Sequence, residues 1–199
     1  MIPLLLCSVT VLTVVFERAI FWLRLDRGQD RRLVTDVLAL SQVGDWESVR
    51  LTARGSGDYI VPILVSGILH REFSMAKAME SAAAEKVREM RRYMSVLDTM
   101  ITVAPLLGIF GTVIGIITSF DLLGTAGIEH PEAVTAGIAQ ALITTAAGLG
   151  IAILTVFPYN YFNSRVAAAA QNIEKYATSL EIVYEKLASG SISGTGGDK

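Results

Sequence analysis

The stretch "ITVAPLLGIFGTVIGIITSFDLL", Ile101–Leu123, has no basic residue, and its one acidic residue lies close to its end. A helix needs about 20 mostly apolar residues to cross the hydrocarbon core of a bilayer, and this stretch is long enough. Two further stretches are equally long and apolar, residues 1–23 and 134–157. The sequence therefore predicts an all-α membrane protein with three transmembrane helices.

The composition agrees with a membrane protein. Hydrophobic residues make up 52% of the 199 residues and charged residues 18%, with a mean hydropathy of +0.49. Soluble domains contain about 25% charged residues. The single cysteine, Cys7, excludes an internal disulfide and a cysteine-based zinc site. We interpret it as an apolar filler of the first span, with a functional thiol as the alternative.

The sequence contains no group of residues typical of catalysis. His70 and His130 lie far apart and have no metal ligands at helical spacing, and no phosphate-binding loop or nucleophile elbow is present. We therefore predict a protein that is not an enzyme, with no catalytic residue, no metal, no cofactor and no nucleic acid as partner.

Basic residues predict the orientation in the membrane. Residues 24–100 and the segment after residue 157 contain the lysines and arginines that lie outside the spans, and residues 124–133 contain none. Cytoplasmic loops are enriched in these residues. We therefore expect a periplasmic N-terminus, a periplasmic loop at 124–133 and a cytoplasmic C-terminus. The first span lacks a basic leader, which favours a retained helix over a signal peptide.

The cytoplasmic region, 24–100, has the pattern of helices. Two short helices are predicted on either side of Gly44-Asp45, followed by a flexible break at 55–57. Residues 74–100 contain no Gly or Pro and many strong helix formers, which predicts one long helix running directly into the second span.

The third span is expected to continue as a cytoplasmic helix at 158–187, because its apolar residues recur at helical spacing. Two transmembrane helices would then extend into a cytoplasmic helical bundle. The last segment, 188–199, is rich in Gly and Ser and is predicted to be disordered.

Small residues recur in the second and third spans. In lipid, helices associate by close packing of small residues. The residues predicted to serve this helix packing are Pro105, Gly108, Gly111, Gly115, Gly137 and Gly148. Small residues occupy more than one side of both spans, so a homo-oligomer explains the pattern better than a three-helix monomer.

Polar side chains interrupt the third span at Gln140, Thr144 and Thr145. Polar groups in hydrocarbon are costly unless they are paired or face a cavity. A threonine can bond to its own backbone four residues back, and this remains open for Thr144. Gln140 has an amide that is harder to satisfy. No carboxylate lies in the middle of any span, so this chain offers no buried acid to carry a proton through the membrane core.

Two motifs carry a family resemblance: "APLLGIFGTVIGIITSF" at 104–120 and "GIAQALITTAAGLGIAI" at 137–153, followed by "PYNYF". They resemble the TolQ/ExbB/MotA family of motor stator subunits, and ExbB more closely than MotA. The resemblance implies a homopentamer in the bacterial inner membrane around a dimer of a single-span partner, ExbD- or TolR-like, whose membrane aspartate carries the ion. A TonB-like protein would be a further partner.

The resemblance also assigns residues. Thr112 and Thr145 fall on the threonines of the two family motifs that are expected near the partner aspartate, and Pro105 on the proline that opens the first motif. With Thr144 and Gln140 they form the predicted ion-pathway and partner-facing set. Gln140 departs from the family, because ExbB and TolQ have a glutamate there. Three explanations are open: the partner aspartate suffices on its own, the ion is sodium, or the residue was altered to block function.

The function implied by the resemblance is an ion-conducting stator subunit that converts the proton motive force into mechanical work for TonB-type uptake. The alternatives are a TolQ-like stator for envelope maintenance, a motility stator, a sodium-driven variant and a membrane scaffold that conducts no ion.

Overall fold

The computed structural model describes residues 1–126 and 131–193, and the regular structure of these residues is helical. In chain order, the helices are α1 (Ile2–Gly28), α2 (Arg31–Gln42), α3 (Trp46–Thr52), α4 (Val61–Leu69), α5 (Met75–Met90), α6 (Met94–Ala126) and α7 (Pro131–Ser193). The chain divides into two compact units, and α1 and α7 contribute residues to both.

Three helices of the described chain, α1, α6 and α7, are long and apolar enough to cross a membrane. The prediction of an all-α protein with three spans is therefore confirmed. Large apolar side chains on their outer surfaces are exposed, among them Leu12, Phe110 and Leu154. In water such a surface would be unfavourable, whereas lipid or further helices accommodate it.

The first unit, Met1–Ala19 with Arg92–Asn163, is organised around the contact between α6 and α7. A Cβ atom added to Gly148 would overlap the carbonyl oxygen of Ala104 and lie 3.1 Å from the Cα of Gly108. The two helices are therefore in direct backbone contact at this level, which only glycine permits.

The two short helices predicted on either side of Gly44-Asp45 are present as α2 and α3. The carboxylate of Asp30 accepts the N–H groups of Arg32 and Leu33 at the start of α2. The chain turns at Gly44, whose φ of +72° suits glycine, and Asp45 then caps α3 by accepting the N–H of Ser48.

Helix α4 was not among the predicted elements. It is apolar on nearly all sides, and Val61, Ile63, Leu64 and Ile68 are buried in the second unit, Ile20–Arg91 with Ser164–Lys199. A short, uniformly apolar segment has no helical periodicity, so the pattern of the sequence could not distinguish it from a strand.

The prediction of one continuous helix over residues 74–100 is wrong. Helix α5 ends at Met90 and α6 begins at Met94, and between them Tyr93 adopts a left-handed conformation with φ 64°. This conformation costs a non-glycine residue about 1–2 kcal/mol. The guanidinium carbons of Arg18 and Arg92 lie 5.6 Å and 4.7 Å from the centre of the Tyr93 ring, and these contacts offset the cost.

The ends of α6 and α7 differ from the predicted bounds. Helix α6 continues to Ala126 and α7 begins at Pro131, so the described part of the predicted loop 124–133 is helical at both ends. Residues 127–130 lie outside the described residues, as do residues 194–199 of the predicted disordered tail. Residues 188–193 are helical, and the Ser189 hydroxyl donates to the Lys186 carbonyl at 3.0 Å.

Within the second unit, polar contacts join the last part of α7 to the other helices. Arg165 pairs with Asp26, and the Tyr184 hydroxyl donates to the carbonyl of Arg71 at 3.1 Å. Burial raises the pKa of the Tyr59 hydroxyl, and a hydrogen bond with Asn172 of α7 opposes that rise. These contacts fix α7 against the core of this unit.

We expect Gly148→Ala to destabilise the protein by about 1–3 kcal/mol, the usual cost of overpacking a closely packed contact. Its added methyl group would meet backbone atoms of α6, which cannot move aside locally. The matched control is Gly150→Ala, two residues along the same helix, where a Cβ atom meets nothing within 4 Å. Thermal unfolding of the purified variants tests this, and equal midpoints for the two would contradict the packing described for α6 and α7.

Candidate functional site

Three threonine hydroxyls meet in the contact between α6 and α7. Thr112 comes from α6, and Thr144 and Thr145 come from α7. The hydroxyls of Thr112 and Thr145 are hydrogen-bonded to each other across the two helices. We call these three residues the threonine cluster.

Two backbone carbonyls complete the threonine cluster. The carbonyl oxygen of Gly108 lies 3.1 Å from the Oγ1 of both Thr112 and Thr145, and 3.3 Å from that of Thr144. The carbonyl oxygen of Ala141 lies 3.1 Å from the Oγ1 of Thr112 and 2.6 Å from that of Thr144.

The threonine cluster has more acceptors than hydrogens. Each hydroxyl has one hydrogen to donate and two lone pairs to accept with, so the hydroxyls cannot satisfy all of these contacts at the same time. Some oxygen lone pairs of the cluster therefore receive no hydroxyl hydrogen. Uncharged oxygens of this kind are suitable ligands for hard cations.

Glycines of α6 bring the backbone within reach of the hydroxyls. A Cβ atom at Gly108 would lie 2.9 Å from the carbonyl oxygen of Thr144, and one at Gly111 would lie 2.8 Å from its Oγ1. A Cβ atom at Gly115 would lie 2.7 Å from the Cβ atom of Ala141. Because these positions have no side chain, the hydroxyls of Thr144 and Thr145 on α7 come within hydrogen-bond distance of the Gly108 carbonyl.

The other residues of the predicted packing set lie along the same contact. Gly137 packs against the side chain of Ser119, and Gly148 against the backbone of Ala104. Pro105 is half-buried beside them in α6. The small residues of the two motifs therefore face one another within a single chain.

Thr144 resolves the alternative that the sequence leaves open. Its side chain is buried, at 7% exposure, and its hydroxyl lies within hydrogen-bond distance of Ala141 in its own helix and Gly108 in the neighbouring helix. Its single hydrogen can go to the local acceptor, Ala141 at 2.6 Å, or to the interhelical acceptor, Gly108 at 3.3 Å.

Gln140 lies apart from the threonine cluster. It is exposed on α7, and five positions along a helix place it about 140° around the axis from Thr145. Gln140 lies only about 40° from Thr144 around α7, but its side chain is exposed whereas that of Thr144 is buried. The structure therefore brings together three of the four predicted pathway residues and leaves Gln140 at the exposed edge of the same contact.

Ser119 and Arg18 are among the buried polar groups that sequence reasoning missed. Ser119 is 2% exposed and donates to the carbonyl of Gly115 at 2.8 Å. Ser119 follows Thr112 by seven residues, which places the two about 20° apart around the helix. This spacing could have identified Ser119 from the sequence. Arg18 is also 2% exposed and forms a bidentate pair with Glu17, with N–O distances of 2.5 Å and 2.6 Å.

Among the described residues, no group of three or more His, Cys, Asp or Glu side chains could hold a metal ion. The oxygen atoms near the centre of α6 and α7 therefore belong to hydroxyls and backbone carbonyls rather than to carboxylates.

Comparison with known proteins identifies the family. Residues 61–175, which include the threonine cluster, match the model of the MotA/TolQ/ExbB proton channel family. The chain belongs to this family.

Relatives within the MotA/TolQ/ExbB family match over most of the chain. The putative biopolymer transport protein ExbB-like 3 of Synechocystis sp. is 31% identical over 193 residues, which cover 94% of this chain and 90% of the relative. ExbB-like 1 of the same organism is 36% identical over 200 residues, covering 94% of this chain and 76% of the relative. The Tol-Pal system protein TolQ of Haemophilus influenzae is 34% identical over 114 residues, which cover 57% of this chain and 50% of the relative.

We expect Thr144→Val to lower the stability of the protein by about 0.6–1.7 kcal/mol, the range measured for interhelical hydrogen bonds in a membrane protein. The substitution keeps the shape of the side chain and removes the hydroxyl that reaches Gly108. Gln140→Ala is the control, because its side chain is exposed and lies outside the network. Thermal unfolding in detergent compares the two, and an unchanged midpoint for Thr144→Val would contradict the proposed contribution of the network.

Proposed function

We propose that this protein is an ion-conducting stator subunit of the bacterial inner membrane. With an ExbD- or TolR-like single-span partner, it would convert the proton motive force into mechanical work for TonB-type transport across the envelope. The observation that carries this proposal is the threonine cluster, which places three hydroxyls and two carbonyls in the contact of two spans of a proton channel family member.

The partner is needed because this chain lacks a charged relay group in the membrane centre. The acidic residues of α6 are Asp98 and Asp121, which lie near the ends of its apolar stretch. An aspartate on a partner helix would supply the missing carboxylate. The threonine cluster would then stabilise the ion beside it with oxygen lone pairs.

The expected homopentamer is consistent with the outer surface of the spans. Exposed large apolar side chains such as Phe110, Ile143 and Phe157 leave ample surface for contact with further helices as well as lipid. A pentamer around a partner dimer would place α6 and α7 of several copies around the aspartates.

The membrane potential supplies enough free energy for the proposed mechanical work. One elementary charge that moves through a membrane potential of 100 mV releases about 2.3 kcal/mol. Several charges per cycle would supply the work that a TonB-like protein delivers across the periplasm.

The distribution of basic residues supports the proposed orientation, with a periplasmic N-terminus and a cytoplasmic C-terminus. The segment between the first and second spans contains many arginines and lysines, whereas residues 124–133, between the second and third spans, contain none. Basic residues of this kind are typical of cytoplasmic segments.

One observation favours a second function, a scaffold that conducts no ion. Gln140 stands where ExbB and TolQ have a glutamate, and it is exposed outside the threonine cluster. Under this alternative the chain would assemble with its partner and transmit force without ion flow. The conducting proposal is preferred because the threonine cluster provides cation ligands that do not include residue 140.

We expect Thr112→Val and Thr145→Val to reduce partner-dependent ion flux by about tenfold, which corresponds to a barrier about 1.4 kcal/mol higher. Each removes one oxygen from the threonine cluster and keeps the volume of the side chain. Thr13→Val is the control, because Thr13 is exposed on α1 and its hydroxyl donates to the carbonyl of Val9 in its own helix. Flux is measured in proteoliposomes that contain the complex with its copurified single-span partner, with pH dye and ²²Na⁺ as separate readouts.

Wild-type complex that conducts neither ion would support the scaffold and overturn the conducting proposal. Failure to copurify with any single-span protein bearing a membrane aspartate, in cells that express one, would overturn the stator proposal as a whole. TolQ-like envelope maintenance and motility would be distinguished from TonB-type uptake by the client that the periplasmic domain of the partner binds.

We also expect Gln140→Glu to assemble normally and to retain flux, because the side chain is exposed and has room for a charged group in contact with water or the partner. Size-exclusion chromatography and the same flux assay provide the measurements. Loss of assembly with Gln140→Glu but not with Gln140→Ala would instead place residue 140 in a dry helix contact.

A further inference from the structure

A second set of polar groups lies on α6, towards its N-terminal end. Asp98 and Thr102 are exposed, and Pro105 follows them at half-buried exposure. None of them takes part in the contact of the threonine cluster. Leu97 and Ala104 are buried on other sides of the same helix, and Met94, about 40° from Asp98, is buried where α6 begins.

Helical geometry places this set in line with the threonine cluster. At 100° per residue, Thr102, Pro105 and Thr112 all lie within about 40° of Asp98 around the axis of α6. The rise of 1.5 Å per residue separates Asp98 from Thr112 by about 21 Å along the helix. One face of α6 therefore connects the threonine cluster with the end of the span that is predicted to be cytoplasmic.

Thr102 and Pro105 bring oxygen atoms to this face, which also carries the exposed apolar side chain of Ile109 between Pro105 and Thr112. The Thr102 hydroxyl donates to the carbonyl of Thr99 at 2.9 Å, which leaves its lone pairs free to accept. Pro105 has no N–H group, so the carbonyl of Ile101 lacks the donor that an ordinary helical residue would provide. A carbonyl in this position can bind water or a cation.

Asp98 supplies the charge. Its carboxylate has no ion pair and no hydrogen-bond partner in the part of the chain that the structure describes. Helix α6 contains no lysine or arginine that could neutralise it. A carboxylate at the end of an apolar segment attracts cations and raises their local concentration.

We propose that Asp98 is the cation-binding group at the cytoplasmic mouth of the ion pathway, reached from the threonine cluster along Pro105 and Thr102. This proposal rests on the conducting function proposed above. A proton would transfer from hydronium to the carboxylate, leaving water and a neutral carboxyl, and the carboxyl would then release the proton to cytoplasmic water. A sodium ion would instead bind as an ion and leave with its water shell.

The main test removes the charge alone. In proteoliposomes that contain the complex with its copurified partner, Asp98→Asn should reduce cation flux by about tenfold at low ionic strength, the lower end of the range for electrostatic attraction. Asp98→Glu, which keeps the carboxylate, should remain within about twofold of wild type, by the same electrostatic attraction. The control is Asp121→Asn, which removes the same charge from α6 at a position about 140° around the axis.

Salt provides a readout that a merely structural role would not affect. The Debye length falls from about 30 Å at 0.01 M salt to about 3 Å at 1 M. Choline chloride, which supplies neither candidate ion, should therefore lower the wild-type flux towards that of Asp98→Asn, while the flux of Asp98→Asn stays nearly constant. Parallel pH-dye and ²²Na⁺ measurements identify which cation the residue handles.

A second pair of variants tests the path between Asp98 and the threonine cluster. Thr102→Val should reduce flux, because it removes an oxygen from the face of α6 that carries Asp98. Thr118→Val is the control, because Thr118 is also exposed and bonds to its own backbone, at Ile114, but lies about 200° around the helix from Asp98.

The outcomes separate this proposal from the conducting function. A wild-type complex that conducts while Asp98→Asn conducts equally well, with the same salt response, would make Asp98 a solvated surface acid and overturn only this proposal. A wild-type complex without flux would overturn both. Oligomeric mass and melting temperature, measured on every variant, should equal those of wild type, and a flux loss that occurs only together with disassembly would also overturn the proposed role.

Discussion

The close approach of α6 and α7 is the interaction on which the rest of the first unit depends. It requires a backbone without side chains at Gly108 and Gly148, and it places the carbonyl of Gly108 within reach of three threonine hydroxyls. Lipid provides no hydrophobic driving force between helices, so this close packing and the hydrogen bonds must themselves hold the pair together. Packing and the chemistry of the site therefore depend on the same glycines.

The distribution of charge along the chain follows from the same constraint. A helix contact this close has no space for a carboxylate, and the acids of α6, Asp98 and Asp121, lie near the ends of its apolar stretch. Arg18, a buried charged residue of the first unit, is paired with Glu17. Its guanidinium also lies over the ring of Tyr93, which has a left-handed backbone conformation. The charged residues therefore lie near the ends of the spans, and the oxygens in the contact of α6 and α7 are uncharged.

The sequence predicted the features that depend on composition over many residues. The three spans follow from the length of apolar stretches, and the restart at Gly44 and Asp45 follows from local turn and cap chemistry. The helix break at Tyr93 could not be predicted, because no Gly or Pro marks it and its stabilising partner Arg18 is distant in sequence. The grouping of the threonines was partly predictable from helical spacing, whereas the separate position of Gln140 depends on which face of α7 meets α6.

The shortage of hydrogens in the threonine cluster has a dynamic consequence. Three hydroxyls can distribute their hydrogens over the carbonyls of Gly108 and Ala141 and over one another in several arrangements. Changing from one arrangement to another requires rotation of hydroxyl groups and no movement of the backbone. Rotations of small side-chain groups take picoseconds to nanoseconds, whereas collective motions of helices take microseconds to milliseconds. In the proposed conducting function, the cluster would reorganise around an ion much faster than helices move, and collective motions of the helices would limit the rate of each cycle.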